Sequence, residues 1–296
     1  LVNVNLTASG GGQILLSAAE SLTNNGGSYT IQAEGTGSRI DLSGLTSLTG
    51  GTDSGWPNYY WYGTYLNVLA GGHLSISGAI SQHTIWTLDG SDSLMDVSEV
   101  GTLSGSASIT VSGGGVLDFA SATALSYVSL YASSGGRILF PSVATYSNDS
   151  GAYTIQAEGT GSRIDLSGLT SLTGGTDSGW PNYYWYGTYL NVLAGGHLSI
   201  SGAISQHTIW TLDGSDSLMD VSEVGTLSGS ASITVSGGGV LDFASATALS
   251  YVSLYASSGG RILFPSVATY SNDSGAYTIQ AEGTGSRIDL SGLTSL

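Results

Sequence analysis

Reactive or ligand-binding roles in this chain fall to two sets of side chains, paired carboxylates and clustered aromatics. Asp96 and Asp118 occupy the same place in two successive apolar-x-apolar motifs, and Asp220 and Asp242 repeat the arrangement. Placed on neighbouring parallel strands about 4.8 Å apart, the carboxylates of each pair would raise one pKa or attract a cation. For a cluster built from oxygen alone, with Asp89, Asp92 and Glu99 on the same stretch, calcium is the expected ion. The chain has no GGxGxDxUx nonapeptide and no D-x-D-x-D-G loop. The competing reading is therefore a solvated acidic face that keeps a β-rich chain soluble. Apart from that possible calcium, no cofactor is expected.

The aromatics lie in the segment TGGTDSGWPNYYWYGTY, residues 49–65, which carries Trp56, Tyr59, Tyr60, Trp61, Tyr62 and Tyr65. The same set returns as Trp180, Tyr183, Tyr184, Trp185, Tyr186 and Tyr189 in residues 173–189. A solvated loop has no use for so much apolar ring surface, and three roles stay open. The rings fold back over their own strands, they anchor a contact with a neighbouring molecule, or they stack on sugar rings while Asp53 and Asn58 bond hydroxyls. In the third case repetition adds avidity.

Catalysis is not expected, and no catalytic residue is assigned. Glycosidase chemistry needs two carboxylates of unequal pKa in a cleft, and lyase chemistry needs a basic group beside a uronate. Asp96, Asp118 and His73 could be drafted for such a scheme, but Arg39, Arg137 and their copies are thinly spread. His73 and His83 stand alone, without a metal-ligand partner at short spacing.

Repetition governs the positions of all these residues. Residues 29–152 recur without change as residues 153–276, residues 277–296 begin a third copy, and residues 1–28 match the tail of a diverged one. The division is thus a tail, copy 1 with its insertion at 49–65, copy 2 with its insertion at 173–189, and a new start, in one continuous solenoid. Inside each copy five segments share apolar-x-apolar, a Gly-rich turn, then apolar-x-apolar: TIQAEGTGSRIDLS, YLNVLAGGHLSIS, WTLDGSDSLMDVS, SITVSGGGVLDFA and VSLYASSGGRILFP. Period-two alternation in both halves, with no i, i+3, i+4, i+7 stripe, specifies strands. The last apolar residue of each segment gives the markers Leu42, Ile76, Val97, Phe119 and Phe140.

A third inward stretch follows each marker: Leu45 and Leu48, Val100 and Leu103, Ala122 and Leu125, Val143 and Tyr146. After Ile76 it reads Ala79 and then Gln82, where an aliphatic residue is expected. Three short strands per unit predict an all-β parallel β-helix of about 21–22 residues per coil and roughly twelve coils, right-handed because parallel crossovers are. One interior ladder is predicted to run Ile31, Leu66, Leu88, Ile109 and Val128, and the next Leu42, Ile76, Val97, Phe119 and Phe140. A leucine-rich repeat competes on IDLSGLTSL alone, and the other coils lack its L-x-x-L-x-L-x-x-N pattern.

With these coils, its Gly, Ser and Thr richness and no cysteine, the chain resembles the right-handed β-helix repeats of large secreted bacterial surface proteins. These are adhesins of the filamentous-haemagglutinin and autotransporter-passenger type. The resemblance implies an extracellular or cell-surface stalk or fibre with a mechanical or adhesive role, and it transfers no site residue. The alternative is a multivalent carbohydrate-binding module using the aromatic loops.

A net charge of −16, with five Arg and Lys residues together, excludes nucleic acid as a partner. No apolar run is long enough for a membrane span. An open solenoid end exposes unpaired strand edges, so the expected partner is the protein itself, end to end or laterally, with glycans as a second class. Asn5, Asn148 and Asn272 sit in weak Asn-x-Ser/Thr matches.

Overall fold

The computed structural model describes residues 1–51, 62–149, 151–176, 187–272 and 275–295. They divide into two compact units, Leu1–Val143 and Ala144–Leu296. Every regular element among the described residues is a strand. The chain is a parallel β-solenoid of about 11 turns, about 23 residues each. The marker spacing predicts slightly more and shorter coils, because it passes over the insertion and the uneven corners.

In the first unit each turn contributes a long strand, a short second strand and a third that leads into the next turn. The long strands are Leu6–Ser9, Tyr29–Glu34, Thr64–Leu69, Thr84–Asp89, Ala107–Ser112 and Val128–Ser133. Alternation fixes which side chains turn inward: Thr64, Leu66 and Val68 are buried while Tyr65, Asn67 and Leu69 are half-buried on the outer face. The markers Leu42, Ile76, Val97, Phe119 and Phe140 are all at most 2 % exposed. The third strands also bury the predicted residues, with Leu48, Val100, Ala122 and Val143 at 0 % and Tyr146, in the second unit, at 1 %.

Two details of register differ from expectation. The first long-strand ladder runs Leu6, Ile31, Leu66, Trp86, Ile109 and Leu130. Leu88 stands opposite Val68, and Val128 opposite Ala107. Alternation forbids a slip by one residue but is blind to a slip by two. Polarity and volume at the strand start decide it. Buried Thr84 lies opposite buried Thr64, and this register sets Trp86 against Phe119, ring centroids 5.9 Å apart and edge-on at 63°. The second difference follows Ile76, where Ala79 is exposed and Ile80 is the buried residue, opposite Leu48 and Leu103. Gly78, at φ +85°, shortens that corner, because a Cβ there would lie 2.4 Å from the Thr46 carbonyl.

The core is thus a stack of apolar layers with one polar column. Phe119 and Phe140 stack face to face, centroids 4.5 Å apart at 10°. Beside them, buried Asn24 donates through Nδ2 to Thr64 Oγ1 (3.3 Å), and Trp86 Nε1 donates to Thr84 Oγ1 (2.9 Å). The second unit repeats both features. Phe243 and Phe264 stack at 4.4 Å, Asn148 donates to Thr188 (3.2 Å), and Trp210 donates to Thr208 (2.8 Å). Asn148, one of the Asn-x-Ser/Thr matches, is fully buried in this column and so is no glycan acceptor in the fold.

Candidate functional site

The two carboxylates of the expected calcium pair are not laddered together. Leu94–Asp96 pairs with His73–Ile76, placing Asp96 opposite Ser75. Val116–Asp118 pairs with Arg137–Leu139, placing Asp118 opposite Leu139. The two strands belong to different sheets. Asp96 instead turns to its own corner, where Oδ1 accepts from the Ser98 hydroxyl (2.8 Å) and amide (3.2 Å). Asp220 does the same with Ser222, and Asp242 stands opposite Leu263. Among the described residues no group of three or more His, Asp or Glu side chains is placed to hold a metal ion. Equal position in the repeat does not imply pairing, because the second-strand ladder alone is interrupted between these two coils.

The break leaves a different polar cluster on the outer face. Arg39 stands opposite His73 and Asp41 opposite Ser75. Arg39 Nη2 donates to Asp41 Oδ2 at 3.1 Å, and His73 Nε2 lies 3.2 Å from Ser75 Oγ. Bonds from the Ser43 hydroxyl and then its amide, with Arg39 adding attraction, hold the Asp41 carboxyl below its ordinary range. At Asp165 burial pulls upward, but Ser167 and Arg163 outweigh it. His73 and His197 are pushed down, first by burial and then by Arg39 or Arg163, against the opposing pull of Asp96 and Asp41 or of Asp220 and Asp165.

These shifts set two pH windows. A histidine with a depressed native pKa binds fewer protons folded than unfolded, so stability falls as pH drops below about 6.5 and levels off under the folded value. The depressed aspartates stabilise above about 3.9, and that contribution is lost as pH falls through their folded values. Urea midpoints from pH 8 to 3 should therefore fall in two steps. The double variant His73→Gln, His197→Gln should remove only the upper one, and an unchanged upper step would refute this assignment.

The aromatic insertion has a built neck. Gly51 and His83 exchange backbone hydrogen bonds (3.1 and 3.2 Å) in an antiparallel bridge, and Thr64 N–H also donates to the His83 carbonyl. A Cβ on Gly51 would lie 2.1 Å from the Tyr62 carbonyl oxygen, and one on Gly50 would lie 2.3 Å from that of His83. Gly63 faces the His83 ring and Ile85, where a Cβ would meet atoms at 2.8 and 2.5 Å. Only glycine permits backbone to approach backbone this closely. Gly51 and Tyr62, the described residues on either side of the insertion, meet at this pinch. Gly174, Gly187 and His207 repeat it.

Trp56, Tyr59, Tyr60 and Trp61, with Trp180, Tyr183, Tyr184, Trp185 and Tyr186, lie outside the described residues. Tyr62 is half-buried at the neck. Tyr65 and Tyr189 sit half-buried on the outer face of the long strands, Tyr65 between Thr30 and Ile85 and Tyr189 between Thr154 and Ile209. His83, which the sequence presents as an isolated histidine, is part of the neck. The run of glycines bracketing the insertion was the signal for it.

No family model and no curated protein matches the chain. Among solved structures it is similar to a TibC-catalysed hyper-glycosylated TibA fragment, residues 55–350. The two are 17% identical over 97% of this chain and 98% of that one, with a TM-score of 0.27.

Proposed function

We propose that the chain is a load-bearing segment of an extracellular or cell-surface stalk, acting by mechanical stiffness and by presenting the same outer surface at regular intervals. One observation carries this reading. In each unit the interior is a register-locked stack, and the second copy rebuilds it to within small differences, down to the paired phenylalanines at 4.5 and 4.4 Å. Such stacking makes each coil depend on its neighbours and spreads load over many parallel strands. Repetition of one outer face also favours self-association, and filaments should align laterally with the period of the 124-residue copy.

Pulling the chain between its ends in a force spectrometer tests the mechanical role. The expected trace is a series of high-force steps, each releasing a coil or a few coils. A single low-force release of the whole length would sink the stalk reading.

A further inference from the structure

We propose that the outer face of the long strands carries a binding trough for a neutral oligosaccharide, centred on Tyr255. In the second unit the register aligns Asn191, Thr211, Thr234, Tyr255 and Gln280 in one outward column. Ser257 and Glu282 stand opposite each other in the column beside it. Together Thr234, Tyr255, Ala256, Ser257, Gln280 and Glu282 line a trough of about 430 Å³. Tyr255 is half-buried and lines the trough. Gln280 Nε2 donates to Glu282 Oε2 at 3.3 Å, which orients the amide and leaves the other carboxylate oxygen to accept.

The chemistry selects a sugar over other ligands. A phenol ring supplies an apolar platform for the C–H face of a pyranose, and the surrounding amide, carboxylate and hydroxyls both donate and accept. These groups recur at the strand spacing of about 4.8 Å, close to the length of one hexose, so a linear chain lying across the strands meets a new set at each residue. A peptide strand would need free backbone groups, and those of Leu254–Ser257 are already laddered to Ile279–Glu282. Polyanions are disfavoured by Glu282, by the net charge of −16 and by the lack of any Arg or Lys in the lining.

The test uses the intact chain. Binding is measured by calorimetry against neutral gluco-, galacto- and manno-oligosaccharides, with a heparin oligosaccharide as the polyanionic arm and a soluble extended peptide as the peptide arm. At least one neutral series should bind, and Tyr255→Ala should weaken it tenfold or more at an unchanged melting temperature. Gln280→Glu, which keeps the shape and adds charge, should weaken it as well. The proposal is overturned if no neutral oligosaccharide binds, if heparin or the peptide binds better, or if both variants bind like the parent. Loss only on Trp56→Ala with Trp180→Ala would assign sugar binding to the loop and also overturn it. The stalk reading fails on force traces alone, so the two fail independently.

Discussion

Phe119→Ala should lower stability by about 3–5 kcal/mol, the range for emptying a fully buried aromatic site. Phe119 is 0 % exposed, stacked on Phe140 at 4.5 Å and met edge-on by Trp86 at 5.9 Å. Neighbouring coils are fixed to one another by their strand ladders, so they cannot close over the hole. The adjacent Asp118→Ala removes an exposed side chain and should stay within about 0.5 kcal/mol of the parent. Urea denaturation of the three proteins decides. Similar losses at positions 118 and 119 would mean that inward and outward faces are misassigned. Phe243→Ala should match Phe119→Ala, since its stack with Phe264 is the same to 0.1 Å.

Gly136→Ala is expected to be nearly as damaging, for a reason that lies in the backbone. Its Cβ would sit 2.1 Å from the carbonyl oxygen of Val111 on the preceding coil, and Gly72 has the same relation to Ala33 at 2.2 Å. Neither atom belongs to a side chain that can rotate away, so the coils must part and their ladder bonds lengthen. Overpacking costs about 1–3 kcal/mol where side chains adjust, and this case should reach or exceed the upper end. Gly101 is the internal control. It sits where the register shifts between Val100 and Thr102, with nothing within 4 Å of a Cβ and no positive φ. Gly101→Ala should be neutral or stabilise by about 0.4–1 kcal/mol through the unfolded chain. Equal behaviour of the two alanine variants in thermal melts would show that the coils are not in close contact at Gly136.

Much of this fold is legible in the alternation of apolar residues, because parity alone decides which side of a strand is buried. Leu42, Phe119, Leu48 and Tyr146 are inside for that reason. Parity does not decide which residue of one coil faces which of the next. Leu88 was therefore assigned two places from its true partner, and the paired phenylalanines were placed correctly because both strands are short and end at the same corner. Asp96 and Asp118 go unladdered on the same ground, since their coils share the long-strand ladder while their second strands lie in different sheets. Tyr255 was hidden for a related reason. As a single outward tyrosine it is unremarked, and only its alignment with Gln280 and Thr234 gives it a setting. The insertion, by contrast, is conspicuous from its length and its aromatics, while its neck depends on the backbone approach of Gly51 to His83, which the sequence does not show.

The buried column of Asn148, Thr188, Thr208 and Trp210 has a consequence for how identical copies avoid tangling. During folding, any strand of one copy has a perfect double in the next, and tandem chains of that kind are prone to exchange segments. Apolar layers alone discriminate weakly between such mispairings or between registers two residues apart. A slipped Thr208–Asp213 strand would carry the bonded Thr208 and Trp210 pair toward Leu190, into an apolar layer, and away from the buried Asn148–Thr188 pair. Setting polar groups into an apolar layer costs about 1–3 kcal/mol where their hydrogen bonds are not fully made, and that penalty acts as soon as the wrong pair forms. The polar column therefore acts as a checkpoint: it penalises misthreading while the segment can still detach and try again.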